Sequence, residues 1–126
     1  MSEIKLQGVR EDNQYTLPKL VKLQKKKGQL VHSYDIYIGR RLNNPSWNLS
    51  DSIWANPFKI TIDQCRDQVI KKYKEYLLNQ PHLLEQLHTL SGKTLGCWCA
   101  PEKCHGDVII ELFKETLLTK TEIMSI

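Results

Sequence analysis

The stretch Thr94-Leu95-Gly96-Cys97-Trp98-Cys99-Ala100-Pro101-Glu102-Lys103-Cys104-His105-Gly106-Asp107 constrains the fold more than any other part of the chain. A short apolar run ends in a proline turn, and the turn ends in Cys-His-Gly-Asp. An amphipathic run from Val108 to Leu118 follows at once. Apolar run, turn and helical period in that order predict a strand over Thr94 to Cys99, then a helix carrying Val108, Ile109, Leu112, Phe113, Thr116 and Leu117 on its apolar face. Three of the four cysteines and one of the four histidines fall inside this stretch. Chemistry, if the chain performs any, is expected there.

The 126 residues amount to one domain and suffice to close a single core. The net charge of +4 permits an anionic ligand, such as a nucleotide or nucleic acid, without requiring one. No apolar run approaches the ~20 residues that span a bilayer. The opening Met1-Ser2-Glu3-Ile4-Lys5 lacks the apolar segment of a secretory signal. The expectation is a cytoplasmic protein with reduced thiols and no membrane partner. In that setting crowded Cys and His point to metal binding or catalysis before disulfides.

Taken in order, residues 1 to about 15 lack a period and are expected to form a loosely held arm. Leu17, Leu20, Val21 and Gln24 sit at helical spacing, and Lys25-Lys26-Lys27-Gly28 resembles a basic helix end with a glycine stop. A strand hairpin across Lys27-Gly28 is the alternative. Gln29 to His32 and Tyr34 to Ile38 are rich in β-branched and aromatic residues and predict strands, the second central. Gly39-Arg40-Arg41 follows, at the carboxyl end of that strand, where open α/β sheets bind ligands.

Trp47 and Trp54 lie in a polar loop. They pin it to the core or offer a face to a base or sugar. Asn56 precedes Pro57 and is held extended, as a turn residue or a recognition group. Thr61 with Gln64 reads as a capping box. It opens a helix whose stripe is Ile62, Cys65, Val69, Tyr73, Tyr76 and Leu77, with Cys65 a buried thiol. Pro81 starts a shorter helix that Gly92 ends, and from Thr119 a polar tail is expected. The division is an arm over 1–28 with a helix as one option, an α/β domain over 29–118, and a tail over 119–126.

Three readings of the Cys/His stretch stand side by side. In the first, Cys104, His105 and Asp107 lie at a helix N-terminus, whose free N–H groups carry a partial positive charge of roughly half a unit. That charge lowers a thiol pKa and populates the thiolate, and the same end binds phosphate. In the second, Cys97, Cys99, Cys104 and His105 hold zinc. The ligand types suit that metal, but the spacing C-x-C-x4-C-H is unusual for it. In the third, the cysteines fill core, Cys104 and His105 cap the helix, and Asp107 complements the dipole.

Tyr37-Ile38-Gly39-Arg40, Trp54-Ala55-Asn56-Pro57-Phe58, Gly96-Cys97-Trp98-Cys99-Ala100-Pro101 and Cys104-His105-Gly106-Asp107 together resemble a family catalogued as domain of unknown function four-three-two-six. It is found in phages, large DNA viruses and bacteria. The resemblance runs from about residue 29 to 118, and it implies a compact α/β domain without supplying a reaction. More distantly, the Cys…Cys-His block is similar to unknown-function family four-eight-eight. That family has an arginine where this chain has Gly106.

The expectation is a single compact α/β domain with a small, mainly parallel sheet and helices packed against it. Its ligand site lies at the carboxyl ends of the strands finishing at Ile38 and Cys99. The leading function is a small enzyme acting on a nucleotide, nucleoside or nucleic acid, with glycosidic-bond cleavage or transfer as one reaction class. Cys104, His105 and Asp107 are catalytic. Arg40, Asn56, Trp54, Gly39, Cys99 and Gly106 bind substrate, and no cofactor is required. The alternative is a non-enzymatic module that binds nucleic acid through basic helices and exposed Trp47 and Trp54, with zinc as an optional stabiliser.

Overall fold

A strand from near the C-terminus joins two segments that come early in the chain. The computed structural model describes residues 15–99 and 102–118. The arm before residue 15, the tail from 119 and the turn at Pro101 lie outside the described residues. Strands β1 (Lys19–Lys22) and β4 (Ile36–Tyr37) do not pair with each other; β7 (Thr94–Cys97) inserts between them, parallel to both. Leu95 lies beside Leu20 and Ile36, and Gly96 beside Val21 and Tyr37. Two antiparallel ribbons complete the strands: β2 (Lys25–Lys26) with β3 (Gln29–Leu30), and β5 (Leu42–Asn43) with β6 (Asn48–Leu49).

Helix α1 (Arg66–Leu78) is followed by the single turn α2 (Pro81–Leu84) and a 3-10 turn over Leu87–Leu90. After β7 comes α3 (His105–Phe113), which runs into a wider turn over Lys114–Leu118. The protein is a compact α/β domain. Its three-stranded sheet is parallel, while the antiparallel pairs are short accessories.

The middle strand is buried because both of its faces are covered. Leu95 faces the core with Ile38, Tyr73, Leu77, Leu90, Ile109 and Phe113. On the other face a Cβ at Gly96 would come within 2.7 Å of Leu23 Cδ2 and 3.1 Å of the Tyr34 ring, so only glycine fits without displacement. Helix α1 buries Val69, Tyr73 and Leu77, spaced four apart on one stripe. The Tyr73 hydroxyl donates to the Trp54 carbonyl at 2.7 Å, pinning that tryptophan inside.

Several local expectations change. The helix expected over Leu17 to Gln24 is strand β1, since pairing with β7 overrides a weak helical period. The alternative hairpin across Lys27-Gly28 forms instead, with φ of +53° and +79° at its two turn residues, the pattern of a tight two-residue hairpin. The strand ending at Ile38 sits on an edge of the sheet, and β7 takes the centre.

Helix α1 begins at Arg66, about one turn later than the sequence suggests. Thr61 and Gln64 exchange backbone hydrogen bonds across a turn, and Ile62 is fully exposed. The reciprocal cap is one turn on: the Gln68 side chain accepts from the Cys65 N–H at 2.9 Å. Cys65 is therefore an exposed cap residue and not a buried core thiol.

Helix α3 approaches the sheet closely at Gly106. A Cβ there would lie 2.6 Å from Leu20 Cδ1 and 2.9 Å from Ile38 Cδ1. Gly106→Val should lower the unfolding free energy by about 1–3 kcal/mol, because overpacking outweighs the helix propensity gained. Urea denaturation followed by circular dichroism measures this, and an unchanged midpoint would show that the helix can back away freely.

Candidate functional site

The carboxyl ends of β4 and β7 lie side by side, and the first turn of α3 comes up against both. A cleft of about 610 Å³ opens at this junction. It brings together six of the residues expected in a site: Gly39 and Arg40 after β4, Cys99 after β7, Cys104 and His105 at the start of α3, and Asn56 from the loop before α1. This is the corner where a parallel sheet leaves a crevice between diverging connections.

His105 is held in one orientation. Its Nε2 lies 2.6 Å from the Ile38 carbonyl oxygen, which only accepts, so Nε2 carries the proton and donates. Nδ1 is then the basic nitrogen, 3.6 Å from Cys104 Sγ. The Tyr73 ring packs edge-on against the imidazole at 5.0 Å. Burial pulls the His105 pKa below its ordinary value and the nearby Arg40 charge adds to this, outweighing the Ile38 bond. The imidazole is neutral at pH 7, with Nδ1 unprotonated and facing Cys104 Sγ.

The thiol runs opposite to expectation. Cys104 caps α3, and its Sγ accepts from the Gly106 N–H at 3.3 Å, which favours thiolate. A hydrogen bond with the Cys97 thiol and burial both push the pKa up and prevail. Cys104 is 2% exposed. The helix dipole is thus outweighed by desolvation, and the resting pair is thiol and imidazole, not thiolate and imidazolium.

The remaining expected residues have structural work elsewhere. Asp107 is exposed, and its Oδ2 accepts from the Cys104 N–H at 2.9 Å, completing a capping box away from the cleft. Gly106 is buried under Leu20 and Ile38. Trp54 is 3% exposed in the core and presents no face for stacking. Asn56 uses Oδ1 to accept from the Phe58 N–H at 2.9 Å, while its carbonyl accepts from Arg40 Nη1 at 3.0 Å. It positions Arg40 within the cleft.

Sequence reasoning missed much of the lining. Tyr37, Phe58 and Trp98 supply three aromatic rings. Trp98 Nε1 donates to the Tyr37 hydroxyl at 2.8 Å, which in turn donates to the Arg40 carbonyl at 2.5 Å. Arg41, Lys59, Arg66 and Lys103 join Arg40, and no carboxylate lines the cleft among the described residues. Arg66 pairs with Glu102 at 3.2 Å, donates to the Lys103 carbonyl at 2.9 Å and hydrogen-bonds Cys99. Arg66 follows the Cys65 cap directly as the first residue of α1, and nothing local in the sequence marks it as facing the strand ends. Among the described residues no group of three or more His, Cys, Asp or Glu is placed to hold a metal ion, the proposed zinc set Cys97, Cys99, Cys104 and His105 included. No helix is long and apolar enough to cross a membrane.

A family model described as a domain of unknown function, DUF4326, matches residues 21–115. The chain is also 38% identical over 107 residues to an uncharacterised protein of Acanthamoeba polyphaga mimivirus, covering 79% of this chain and 82% of that one. No solved structure matches.

The neutral pair sets the pH dependence of stability. Below about pH 6.5 the unfolded chain binds a proton that folded His105 resists, so stability falls as pH falls. Above about pH 8.5 the unfolded chain releases a proton that folded Cys104 keeps, so stability also falls as pH rises. Thermal midpoints across pH should peak between these limits, and His105→Gln should flatten the slope just below neutrality. In a thiol titration of the native protein, exposed Cys65 should react fast, while Cys97 and Cys104 should wait for unfolding.

Proposed function

The chain belongs to the DUF4326 family, described as a domain of unknown function, and we propose that this member is a small enzyme acting on a nucleotide or on a nucleotide unit of a nucleic acid. The observation that carries the reading is the lining of the cleft. Five cations, Arg40, Arg41, Lys59, Arg66 and Lys103, surround three aromatic rings; no carboxylate belongs to the lining among the described residues, and at the rim Glu102 pairs with Arg66 at 3.2 Å and Asp67 lies 3.9 Å from Lys103. Phosphate suits the cations, and a base suits the rings.

The residues divide by role. Arg40 takes phosphate oxygens with the N–H groups that Asn56 leaves unused. Tyr37, Phe58 and Trp98 flank the base or sugar. His105 Nδ1 accepts a proton from an attacking hydroxyl or water, since its pKa is held low enough to keep it unprotonated. Cys104 stays a buried thiol hydrogen-bonded to Cys97, not a nucleophile, and caps the helix that carries His105. Asp107 takes no part beyond capping the helix that presents both.

Charge decides between reaction classes. Glycosidic cleavage passes through an oxocarbenium-like state that gains positive charge and is ordinarily served by carboxylates. A cleft lined by cations favours a state that gains negative charge, as in phosphoryl or phosphodiester transfer. The cleft therefore supports phosphorus–oxygen chemistry over the glycosidic class.

Titration calorimetry tests the binding half. Nucleoside monophosphates should bind at least about tenfold more tightly than the matching nucleosides, and Arg40→Ala should remove most of that difference. Equal affinity for nucleosides and nucleotides would falsify the reading. The chemical half is tested by His105→Gln, which keeps a hydrogen-bonding side chain without a basic nitrogen. Turnover of a phosphodiester substrate should fall by about 100-fold or more while nucleotide affinity persists.

A further inference from the structure

The β2–β3 hairpin stands at one end of a run of aromatic rings whose other end is the cleft. Lys25 Nζ lies over the Trp47 ring, 4.4 Å from its centroid, and donates to the Ser46 carbonyl. Trp47 packs edge-on against Trp98 at 5.1 Å, and Trp98 against Tyr37 at 6.3 Å. Trp98 and Tyr37 line the cleft. Trp47 and Trp98 are only half-buried, so ring surface remains open along the run. Trp47 is held in place by its own turn, where Asn44 Oδ1 accepts from the Ser46 and Trp47 N–H groups at 2.8 Å each.

The hairpin end of this run carries charge of one sign, while Asp51 lies near Tyr37 at the cleft end. Lys19, Lys22, Lys25, Lys26 and Lys27 lie between Tyr15 and Asp35 with no acidic residue between those two positions. All five lysines are exposed. Asp35 itself is occupied, its Oδ2 accepting from the Thr94 N–H at 2.8 Å. Lys27 takes a φ of +53°, where Asn or Gly is the cheaper residue. A hairpin that serves only to turn the chain has no need of a lysine there, beside two more.

We infer that the substrate is a polymer, a single-stranded nucleic acid whose phosphates run along the lysine hairpin while its bases stack along the Trp47–Trp98 run, delivering one nucleotide into the cleft. Alternating cations and aromatic faces are what unpaired strands bind, through phosphate charge and through base stacking that does not depend on sequence. A duplex would keep its bases paired and away from the rings. The cleft of about 610 Å³ takes a single nucleotide, so the rest of a strand must lie outside it. The inference rests on the nucleotide reading of the cleft and adds a binding track that a free nucleotide would never touch.

Fluorescence anisotropy with a labelled oligothymidylate of about eight nucleotides, alongside calorimetry with thymidine monophosphate, tests the track. The variant combines Lys22→Gln, Lys26→Gln and Lys27→Asn, the last because Asn tolerates positive φ. The oligomer should bind at least about tenfold more tightly than the monophosphate. The triple variant should lose that advantage, and its log–log salt slope should fall by about two. Its affinity for the monophosphate should not change.

If oligomer and monophosphate bind alike, or the triple variant binds the oligomer as well as the parent does, the track is overturned and the cleft reading survives. If the oligomer binds through the hairpin but Arg40→Ala leaves that binding untouched and the monophosphate does not bind, the cleft reading fails and with it the delivery of a nucleotide. Circular dichroism of the triple variant confirms that a loss is not unfolding, since none of its three side chains is buried.

Discussion

Every functional feature of this fold depends on β7 being hydrogen-bonded on both edges. Strands β1 and β4 have no sheet without it, because each pairs only with β7. Parallel pairing of segments more than 50 residues apart in the chain costs loop-closure entropy and has to be offset by burial. Gly96, Leu95 and Cys97 supply that burial in the middle of the sheet. Because the strands run the same way, the residues that follow β4 and β7 come out at one end of the sheet, where they line the cleft.

The start of α3 locks the two halves of the cleft together. Cys104 caps the helix, Asp107 closes the reciprocal cap, and Gly106 lets the helix sit directly on Leu20 and Ile38. The His105–Ile38 hydrogen bond then ties the helix end to the end of β4. It also fixes the tautomer, since it places the imidazole proton on Nε2 and leaves Nδ1 unprotonated beside Cys104 Sγ. A helix N-terminus usually favours anions. Here the neighbouring Cys97 thiol and burial outweigh the helix end, so the resting pair is thiol and imidazole and not a resident thiolate.

The cations stay close to one another because the scaffold holds them by their surroundings. Arg40 is tied to the Asn56 carbonyl, and its own carbonyl to Tyr37. Arg66 is tied to Glu102 and the Lys103 carbonyl at the rim. The lining itself holds no carboxylate among the described residues, and the Glu102 and Asp67 carboxylates at the rim relieve only the Arg66 and Lys103 part of the mutual repulsion. The lysine hairpin continues the same sign of charge outward along Trp47.

Much of the local structure was legible in the sequence. Apolar run, proline turn and amphipathic period placed β7 and α3 within a few residues, and Pro81 marked a helix start, although the helix expected up to Gly92 is a single turn to Leu84 followed by a 3-10 turn over Leu87–Leu90. The Cys-His-Gly-Asp signal correctly set Cys104 and His105 at a helix start. What local patterns left undecided were questions of partnership. Leu17 to Gln24 is a strand because β7 supplies its partner, Cys65 is exposed because the real cap falls one turn later, and Trp54 is buried because Tyr73 reaches its carbonyl. The thiol's protonation and the gathering of Arg66 and Lys103 beside Arg40 likewise arise between residues distant in sequence. The sequence by itself determined which short segments fold and which residues end them, since propensity, caps and turns act over a few residues. Only the tertiary structure decided which side chains share a cleft and which way their protons move, because desolvation and pairing depend on what the rest of the chain brings alongside.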